Sequence, residues 1–305
     1  MIVVVTGATG ALGRPTVAQL TRAGHRVRAL VRSRQSADAA RALGAEAVPA
    51  ALFDPDSLRR AVSGADAIMH LATRIVSAAR ARHRAAWAEN DRIRRDGTRH
   101  LVDAALAAGV GAVVYPSFAP VYADGGDRWL EFGSPLDPTD ILVSTLDAER
   151  EIDRFTTHGG RGVVLRMAAI YGPYSAASGD VIALARKGIS TFAGPAGAHQ
   201  SLVWDEDAAA ALVTALHAPP GGYDIADDEP LTRADLAAAL ATAVGRRSVW
   251  RPPTPLVRAA LGARMGFLLR SQRVSNRRFA AGTDWRPRVP DATVGLGRMR
   301  KVLTI

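Results

Sequence analysis

Short apolar runs and amphipathic stretches alternate along the first 170 residues. The run IVVVTG, beginning at Ile2, is apolar throughout and ends in glycine, which is typical of a strand buried on both faces of a parallel sheet. RPTVAQLTRAG follows with apolar residues at helical spacing and stops at Gly24. Further strands are predicted at HRVRALVR, near residues 46–53, and at AIMHLA, AVVYPS and GVVLRMA, with a helix at DGTRHLVDAALAAGV. Repeated strand–helix units predict an α/β fold on a doubly wound parallel sheet.

The pattern loosens after residue 173. A strand end followed by a helix is again predicted at LVWDEDAAAALVTALHA, and a last strand is predicted at GYDIAD. TRADLAAALATAVG predicts a helix with Thr232 as N-cap and Gly245 at its end. We interpret the apolar stretch LVRAALGARMGFLL as part of a small second lobe, with a helix on a membrane surface as the alternative.

Composition narrows the class of protein. The chain has 305 residues, of which 48% are hydrophobic, enough for a large core. No apolar run approaches the roughly 20 residues of a membrane span. Because the first strand begins at Ile2 we expect no signal peptide, and the absence of Cys excludes disulfides and thiolate chemistry. We therefore expect a cytoplasmic protein without a membrane partner.

The net charge of +10 is concentrated near the C-terminus. From residue 246 to residue 301 there are thirteen Arg and one Lys against Asp284 and Asp291. Such a segment can attract phosphates, nucleic acid or an anionic substrate, or it can be a solvated arginine surface. Since no nucleic-acid-binding motif accompanies the charge, we expect no nucleic acid partner.

A glycine-rich loop, TGATGALG, stands between the first strand and the first helix. Its glycines suit a tight turn, a close backbone approach to a pyrophosphate and the positive end of a helix. The order of strand, loop and helix is the one that a dinucleotide site needs. We therefore assign cofactor binding to Gly7, Thr9, Gly10, Ala11, Leu12 and Gly13.

The end of the second strand indicates which dinucleotide is bound. An NAD site has an acid there for the ribose 2′-hydroxyl, whereas this chain has Arg32 and, close by, Arg34. Guanidinium groups suit a 2′-phosphate, and Arg14 could join them. The sequence predicts NADP, with NAD as the alternative. Asp54 is placed to accept from an adenine amino group or, alternatively, to cap a helix or turn.

Several further motifs complete a likeness that covers nearly the whole chain. They are HLAT, VVYPSFAPVYAD, VVLRMAAIYGP, WDEDAAAAL and SNRRFAAGTDWRP. With the glycine loop, these segments resemble the extended short-chain dehydrogenase/reductase superfamily, and within it the NAD(P)-dependent epimerase/dehydratase family.

The resemblance implies a Rossmann-like domain and a smaller C-terminal lobe that holds the substrate. The expected boundaries are 1–170 for the cofactor domain, to which 199–230 returns, and 171–198 with 231–305 for the substrate lobe. It places Leu71, Ala72 and Thr73 of HLAT beside the cofactor. Members of the family oxidise, reduce, epimerise or dehydrate small hydroxyl-bearing substrates. Their acid/base is the Tyr of a Tyr-x-x-x-Lys dyad, assisted by a Ser or Thr.

This chain departs from the family at that dyad. Alignment on Ala148 and Glu149 puts Ile141 at the Tyr position and Thr145 at the Lys position. The only lysines are at 187 and 301, and none follows a tyrosine by four residues, so the dyad is absent in any register. The family's Ser/Thr position likewise falls on Phe118, one residue after Ser117.

Substitute catalytic groups must therefore be sought among other residues. Tyr122, at the carboxyl end of a strand, is the first candidate for acid/base work, with packing as the alternative. Ser117 is the second, although an offset of one residue on a strand turns its side chain to the opposite face. Arg166 is expected to pair internally. No cluster with metal-ligand spacing is visible, so no metal is predicted.

The substrate is expected to be a small molecule and, on the basis of an arginine group, an anionic one. The group is Arg270, Arg273, Arg277 and Arg278, where family members often hold an anionic part of the substrate. Whether the chain forms a homodimer stays open.

Three functions are compatible with these observations. The first is an NAD(P)-dependent oxidoreductase or epimerase/dehydratase-like enzyme that acts on a hydroxyl or carbonyl group with non-standard acid/base residues. The second is an enzyme of the same fold that performs isomerisation, cyclisation or elimination without redox chemistry. The third is a non-catalytic NADP(H)-binding sensor or regulatory protein.

Overall fold

The computed structural model describes residues 1–77 and 80–302. The strands are β1 (Ile2–Thr6), β2 (Arg26–Val31), β3 (Glu46–Pro49), β4 (Ala67–His70), β5 (Ala112–Phe118), β6 (Trp129–Leu130), β7 (Arg161–Met167), β8 (Ala169–Tyr171), β9 (Leu202–Trp204), β10 (Gly221–Ile225) and β11 (Arg273–Val274). The α-helices are α1 (Gly13–Arg22), α2 (Arg34–Ala42), α3 (Pro55–Val62), α4 (Ala88–Arg92), α5 (Thr98–Ala107), α6 (Val143–Thr157), α7 (Ala176–Arg186), α8 (Asp205–Ala215), α9 (Arg233–Ala243), α10 (Thr254–Leu261), α11 (Arg277–Gly282) and α12 (Ala292–Val302).

A parallel sheet organises the molecule. Within the described residues it has seven strands in the order β10-β7-β5-β4-β1-β2-β3. Strand β1 pairs with β2 on one side and β4 on the other, with Val4 opposite Arg28 and Ile68. The chain therefore reverses its direction of travel across the sheet at β1, and open α/β sheets bind ligands at the carboxyl ends of the strands beside such a point. The predicted α/β, Rossmann-like fold is confirmed.

Both faces of the sheet are covered because successive side chains of each strand point to opposite sides. Val3 and Val5 pack on the side of α1 and α8, whereas Val4 and Ile68 pack on the side of α3, α5 and α6. All four side chains are fully buried. This two-sided burial explains why the strands read as continuous apolar runs.

A separate apolar cluster lies in the later part of the chain. It joins Tyr171 and Trp204, whose rings meet edge to face at 5.3 Å, with Leu236, Leu240 and Leu296 of α9 and α12. Strand β10 belongs to the main sheet, and α8 packs on α1. The division at residues 170, 199 and 230 remains a prediction.

The apolar stretch from residue 254 to residue 269 is not one helix. Gly262, with a φ of 74°, ends α10, and a 3₁₀ helix over Ala263–Leu269 follows. Met265 and Phe267 of that second piece are buried against Ile141 and Val121. In the described part of the chain, no helix is both long and apolar enough to cross a membrane.

Candidate cofactor and substrate site

The glycine loop joins the end of β1 to the start of α1. Gly7 has a φ of 68°, and a side chain there would come within 2.7 Å of the backbone of Leu71 and Ala72. A side chain at Gly13 would overlap the carbonyl oxygen of Gly7, which accepts a hydrogen bond of 3.0 Å from the Gly10 amide. The loop therefore requires glycine at residues 7 and 13, as a tight turn beneath a pyrophosphate would.

The rim of this loop is more accessible. Ala11 is exposed, Thr9 and Leu12 are half-buried, and the Thr9 carbonyl accepts a hydrogen bond of 3.0 Å from Nε of Arg14. The backbone amides before α1 thus lie at the carboxyl edge of the sheet, where the dipole of the helix favours an anion.

The segment after β4 packs directly against the glycine loop. The Ala72 amide donates to Thr6 Oγ1 at 3.1 Å, and Thr73 Oγ1 donates to Asn90 Oδ1 at 2.8 Å. His70, which is fully buried, meets the same Thr6 hydroxyl through Nδ1 at 2.7 Å, and burial lowers its pKa to about 4. The structure therefore brings Leu71 and Ala72 to the loop and ties Thr73 to α4, and His70 stays neutral and internal.

Two arginines follow the end of β2, and a third, Arg14, lies in the first turn of α1. Arg14, Arg32 and Arg34 are all exposed, and none of them forms an ion pair with a residue that the structure describes. Arg34 opens α2, whose N-cap is Ser33. A phosphate at this place would meet unpaired guanidinium groups and a helix N-terminus.

Asp54 serves as the N-cap of α3. Its Oδ1 accepts from the amides of Asp56 at 3.1 Å and Ser57 at 3.2 Å, and the bond from Ser57 contributes most to lowering the pKa of Asp54. The helix-cap alternative is thus observed, while the adenine contact stays a prediction.

Ser117 belongs to a buried polar network instead of an open cleft. Its hydroxyl donates to Glu149 of α6, and the side chain is buried. Arg166 of β7 binds both oxygens of Glu149, with Nε to Oε1 at 3.0 Å and Nη2 to Oε2 at 2.8 Å. The internal pairing predicted for Arg166 is confirmed. The Ser117 hydroxyl faces α6, as the one-residue offset suggested.

Tyr122 is also part of the interior. It is completely buried, and its hydroxyl donates to Asp224 Oδ1 at 2.7 Å. The Arg166 guanidinium lies 5.0 Å from the ring centre. Burial, reinforced by the carboxylate of Asp224, raises the pKa of Tyr122 far above that of a free phenol. The geometry therefore favours the packing alternative over acid/base work for Tyr122.

The two residues that the alignment on Ala148 and Glu149 places at the dyad are closed to solvent. Ile141 and Thr145 have no exposed surface, and Thr145 Oγ1 has no hydrogen-bond partner among the described residues. Ile141 packs in an apolar cluster with Val121, Met265 and Phe267. The Ile141 side chain therefore offers no proton donor.

A small cavity lies at the carboxyl ends of β5 and β7, with a volume of about 50 Å³. Aromatic and aliphatic side chains form one wall, and Phe118 meets Phe267 edge to face at 6.2 Å. Polar side chains from the segments around residues 200, 233 and 270 form the opposite wall. The lining includes Phe118, Pro120, His199, Gln200, Arg233, Phe267, Leu268, Arg270 and Gln272. Its place at the strand ends makes it the candidate substrate site.

The four predicted arginines do not act together. Arg270 lines the cavity but pairs with Asp137 and donates to the Tyr122 carbonyl at 3.0 Å. Arg273 and Arg277 stack on Trp129, and Arg278 stacks on Tyr223. Of the group, only Arg270 is in a position to meet a ligand in this cavity.

Sequence reasoning missed Arg233. This residue opens α9, is only 3% exposed and lines the cavity beside Gln200. The available signal was an arginine in the first helical turn, where the helix dipole disfavours a cation. His199 lines the same wall, and burial lowers its pKa.

A family model described as the NAD dependent epimerase/dehydratase family matches residues 3–226. The chain belongs to this family. A curated relative, the 3-diazoavenalumate denitrifying reductase of a Streptomyces species, is 32% identical over 98% of this chain and 100% of its own length.

Solved structures share the fold at lower identity. A UDP-glucose 4-epimerase of Thermotoga maritima, solved with UDP-glucose, has a TM-score of 0.81 at 19% identity, covering 100% of this chain and 99% of its own. The human epimerase family protein SDR39U1, solved with NADPH, has a TM-score of 0.80 at 22% identity, covering 99% of both chains.

Membership of the epimerase/dehydratase family, together with a reductase similar along its whole length, decides between the three functions. The protein is an NAD(P)-dependent enzyme of the oxidoreductase/epimerase type.

Proposed function

We propose that the protein is an NADPH-dependent reductase that replaces the diazo group of a small molecule by hydrogen. The observation that carries this proposal is the apolar packing of Ile141 together with the complete burial of Thr145. A reductase or epimerase that acts on a carbonyl or hydroxyl group needs a proton donor or base at the reacting oxygen. This chain has apolar packing at the position where the family places that group.

A diazo carbon requires no such donor in its diazonium form. When bound at the glycine loop, a reduced nicotinamide cofactor would supply a hydride; its electron pair would form the new C–H bond while the C–N bond breaks and its electron pair leaves with N2. The similarity to a denitrifying reductase over all of that protein's length supports this chemistry.

The residues of the chain would hold and enclose the reactants. The glycine loop from Gly7 to Gly13 and the segment 71–73 would bind the pyrophosphate side of the cofactor. Arg32 and Arg34, with Arg14, would bind a 2′-phosphate, which is why we propose NADP in preference to NAD. Phe118 and the apolar cluster around Ile141 would exclude water from the reacting carbon.

Tyr122 and Ser117 receive positioning roles in this proposal. Tyr122 holds Asp224 of β10, and Ser117 holds Glu149 of α6, so the two hydroxyls tie the end of β5 to β10 and to α6. Replacement of Tyr122 by Phe is therefore expected to leave the turnover number within a few-fold of the wild type.

Turnover of 3-diazoavenalumate with NADPH tests the function. We expect consumption of NADPH, measured by the loss of its absorbance, to match the release of N2 mole for mole. UDP-glucose and a simple aryl ketone serve as alternative substrates. Binding of NADPH without any consumption, or epimerisation of UDP-glucose without net use of NADPH, would show that the proposed reaction is wrong.

A further inference from the structure

Arg233 is a buried cation without an acidic partner. Its side chain is 3% exposed, and no ion pair joins it to any described residue. Nη1 donates to Gln200 Oε1 at 2.6 Å, and Nη2 donates to the carbonyls of Leu268 at 2.7 Å and Arg270 at 2.9 Å. Nε has no hydrogen-bond partner among the described residues. Of five N–H donors, the guanidinium therefore uses three.

The surroundings of Arg233 make the electrostatic potential at its guanidinium more positive. The residue begins α9, at the positive end of the helix dipole, and Arg251 lies near enough to lower its pKa further. Burial is the main effect on that pKa, which falls to about 10. Asp124 acts in the opposite direction, but it is exposed and its oxygens accept from the amides of Gly126 and Ser271. An unpaired buried cation costs free energy that a bound anion would recover.

The cavity beside Arg233 can hold a small polar group. The space open to the centre of a water molecule is about 50 Å³, several times the roughly 10–15 Å³ that one water molecule needs. A carboxylate fits such a space. The apolar part of the lining includes Phe118, Phe267 and Leu268, and Phe118 ends β5 at the edge where the glycine loop also lies.

We propose that Arg233 binds the carboxylate of a flat, conjugated acid whose carbon skeleton lies against Phe118 and Phe267. Guanidinium donors bind carboxylates with directional, charge-assisted hydrogen bonds, and aromatic rings pack well against a conjugated chain. Gln200 orients the guanidinium from the side. The assignment rests on the proposed function, and it adds to that function the class of substrate and the residue that selects it.

Binding of an unreactive acid provides a test that is independent of turnover. Avenalumate, which lacks the diazo group, and its methyl ester are titrated by calorimetry into the NADPH complex. We expect the wild type to prefer the acid to the ester by about tenfold or more, since a hydrogen bond to a charged group contributes about 1.5–3 kcal/mol. In Arg233→Met this preference should disappear, whereas Arg258→Met, which removes an exposed arginine of α10, should retain it.

Gln200→Glu is a second variant, in which Arg233 keeps its hydrogen bonds to the carbonyls of residues 268 and 270. The new carboxylate would pair with Arg233, so the affinity for the acid should fall by a similar factor while the affinity for the ester changes little. If the acid and the ester bind equally to the wild type, or if neither variant changes their ratio, Arg233 is only a structural clamp and the proposal is overturned.

The two proposals fail separately. Turnover of the diazo acid with equal binding of acid and ester would overturn the carboxylate site and leave the reaction standing. Selective binding of the acid that depends on Arg233, without any consumption of NADPH, would overturn the reaction and leave the site standing.

Discussion

Single side chains around β7 show how charge is accommodated inside the sheet. Glu149 and Arg166 form a two-point ion pair whose side chains are 11% and 5% exposed. Ser117 donates to the same carboxylate. The ring of Tyr122 lies against the Arg166 guanidinium, and its hydroxyl donates to Asp224. Because the members of the network are buried together, removal of any one leaves another polar group without its partner.

Glu149→Gln is expected to destabilise the fold by about 3–5 kcal/mol, since it leaves the Arg166 charge buried and unpaired. Urea unfolding followed by circular dichroism measures the loss. Arg150→Gln is the matched control: Arg150 is 70% exposed and pairs with Asp147, so its loss should cost less than about 1 kcal/mol. Equal losses in both variants would contradict the role given to the buried pair.

Asp224 should make stability depend on pH. Burial raises its pKa to about 7, from 3.8 when the chain is unfolded. Between these values the folded state holds a proton that the unfolded state releases, so the free energy of unfolding should fall as the pH rises from about 4 to 7. Asp224 alone contributes at most about 1.4 kcal/mol per pH unit to the slope. Asp205, whose pKa burial raises to about 6, adds to it in the same direction.

Asp224→Asn, whose amide oxygen can still accept from Tyr122, should flatten this slope in urea unfolding across the same pH range. A variant with the slope of the wild type would show that Asp224 is ionised in the fold.

Arg32→Ala tests the choice of cofactor. Loss of a charge-assisted hydrogen bond to the 2′-phosphate should weaken NADPH binding by about ten- to a hundredfold and leave NADH binding nearly unchanged. Fluorescence titration of both cofactors measures the ratio. Arg22→Ala, in the last turn of α1, is the control with the same change of charge. Equal weakening of NADPH and NADH would remove the 2′-phosphate from the role of Arg32.

At the scale of elements, the sequence was most informative where periodicity and burial agree. The runs that became β1, β5 and β7 are buried on both faces, so their apolar continuity was a sufficient signal. Thr232 was predicted as the N-cap of α9, and its hydroxyl does accept from the Asp235 amide at 3.2 Å. The break at Gly262 was missed, because a positive φ depends on tertiary packing that apolar spacing does not encode.

The candidate site was predictable only in part for the same reason. The glycine loop was predictable because its backbone conformation requires glycine at fixed positions, which is visible as a motif in the sequence. Arg233, Gln200 and Phe267 meet only after folding, from segments more than thirty residues apart. Tyr122 was chosen for its place at a strand end, but its burial beneath Arg166 depends on β7 and β10.

The turn between β1 and α1 gives a prediction at this scale. Gly13→Ala places a methyl group on the Gly7 carbonyl, so the loop must open and lose its hold on the cofactor. We expect loss of measurable NADPH binding together with a lower melting temperature. Gly197→Ala, where an added methyl group meets no atom within 4 Å, should change neither. Normal NADPH affinity in Gly13→Ala would contradict the assigned loop.

Over the whole molecule, the basic C-terminal segment forms ion pairs with the residues that precede α6. Arg270 pairs with Asp137 and also donates to the carbonyls of Tyr122 and Asp137, and Arg264 pairs with Asp140 at 2.7 Å. The segment 137–140 leads into the helix that carries Thr145 and Glu149. Part of the positive charge seen in the sequence therefore ties two distant parts of the chain together.

Arg270→Met is expected to loosen this connection. The segment 133–142 should become more sensitive to limited proteolysis, and the Michaelis constant for the substrate should rise because Arg270 also lines the cavity. Arg264→Met removes a pair that is 45% exposed on both sides, so it should have the smaller effect on both measurements. A larger effect in Arg264→Met would reverse the assignment.

The packing around Ile141 also bears on how such an enzyme could change its reaction. A tyrosine there would need space that Val121, Met265 and Phe267 already fill, and a lysine at Thr145 would bring an unpaired charge into a fully buried position. The double substitution Ile141→Tyr, Thr145→Lys would thus lower stability. Room for a tyrosine at residue 141 requires smaller side chains among these neighbours first.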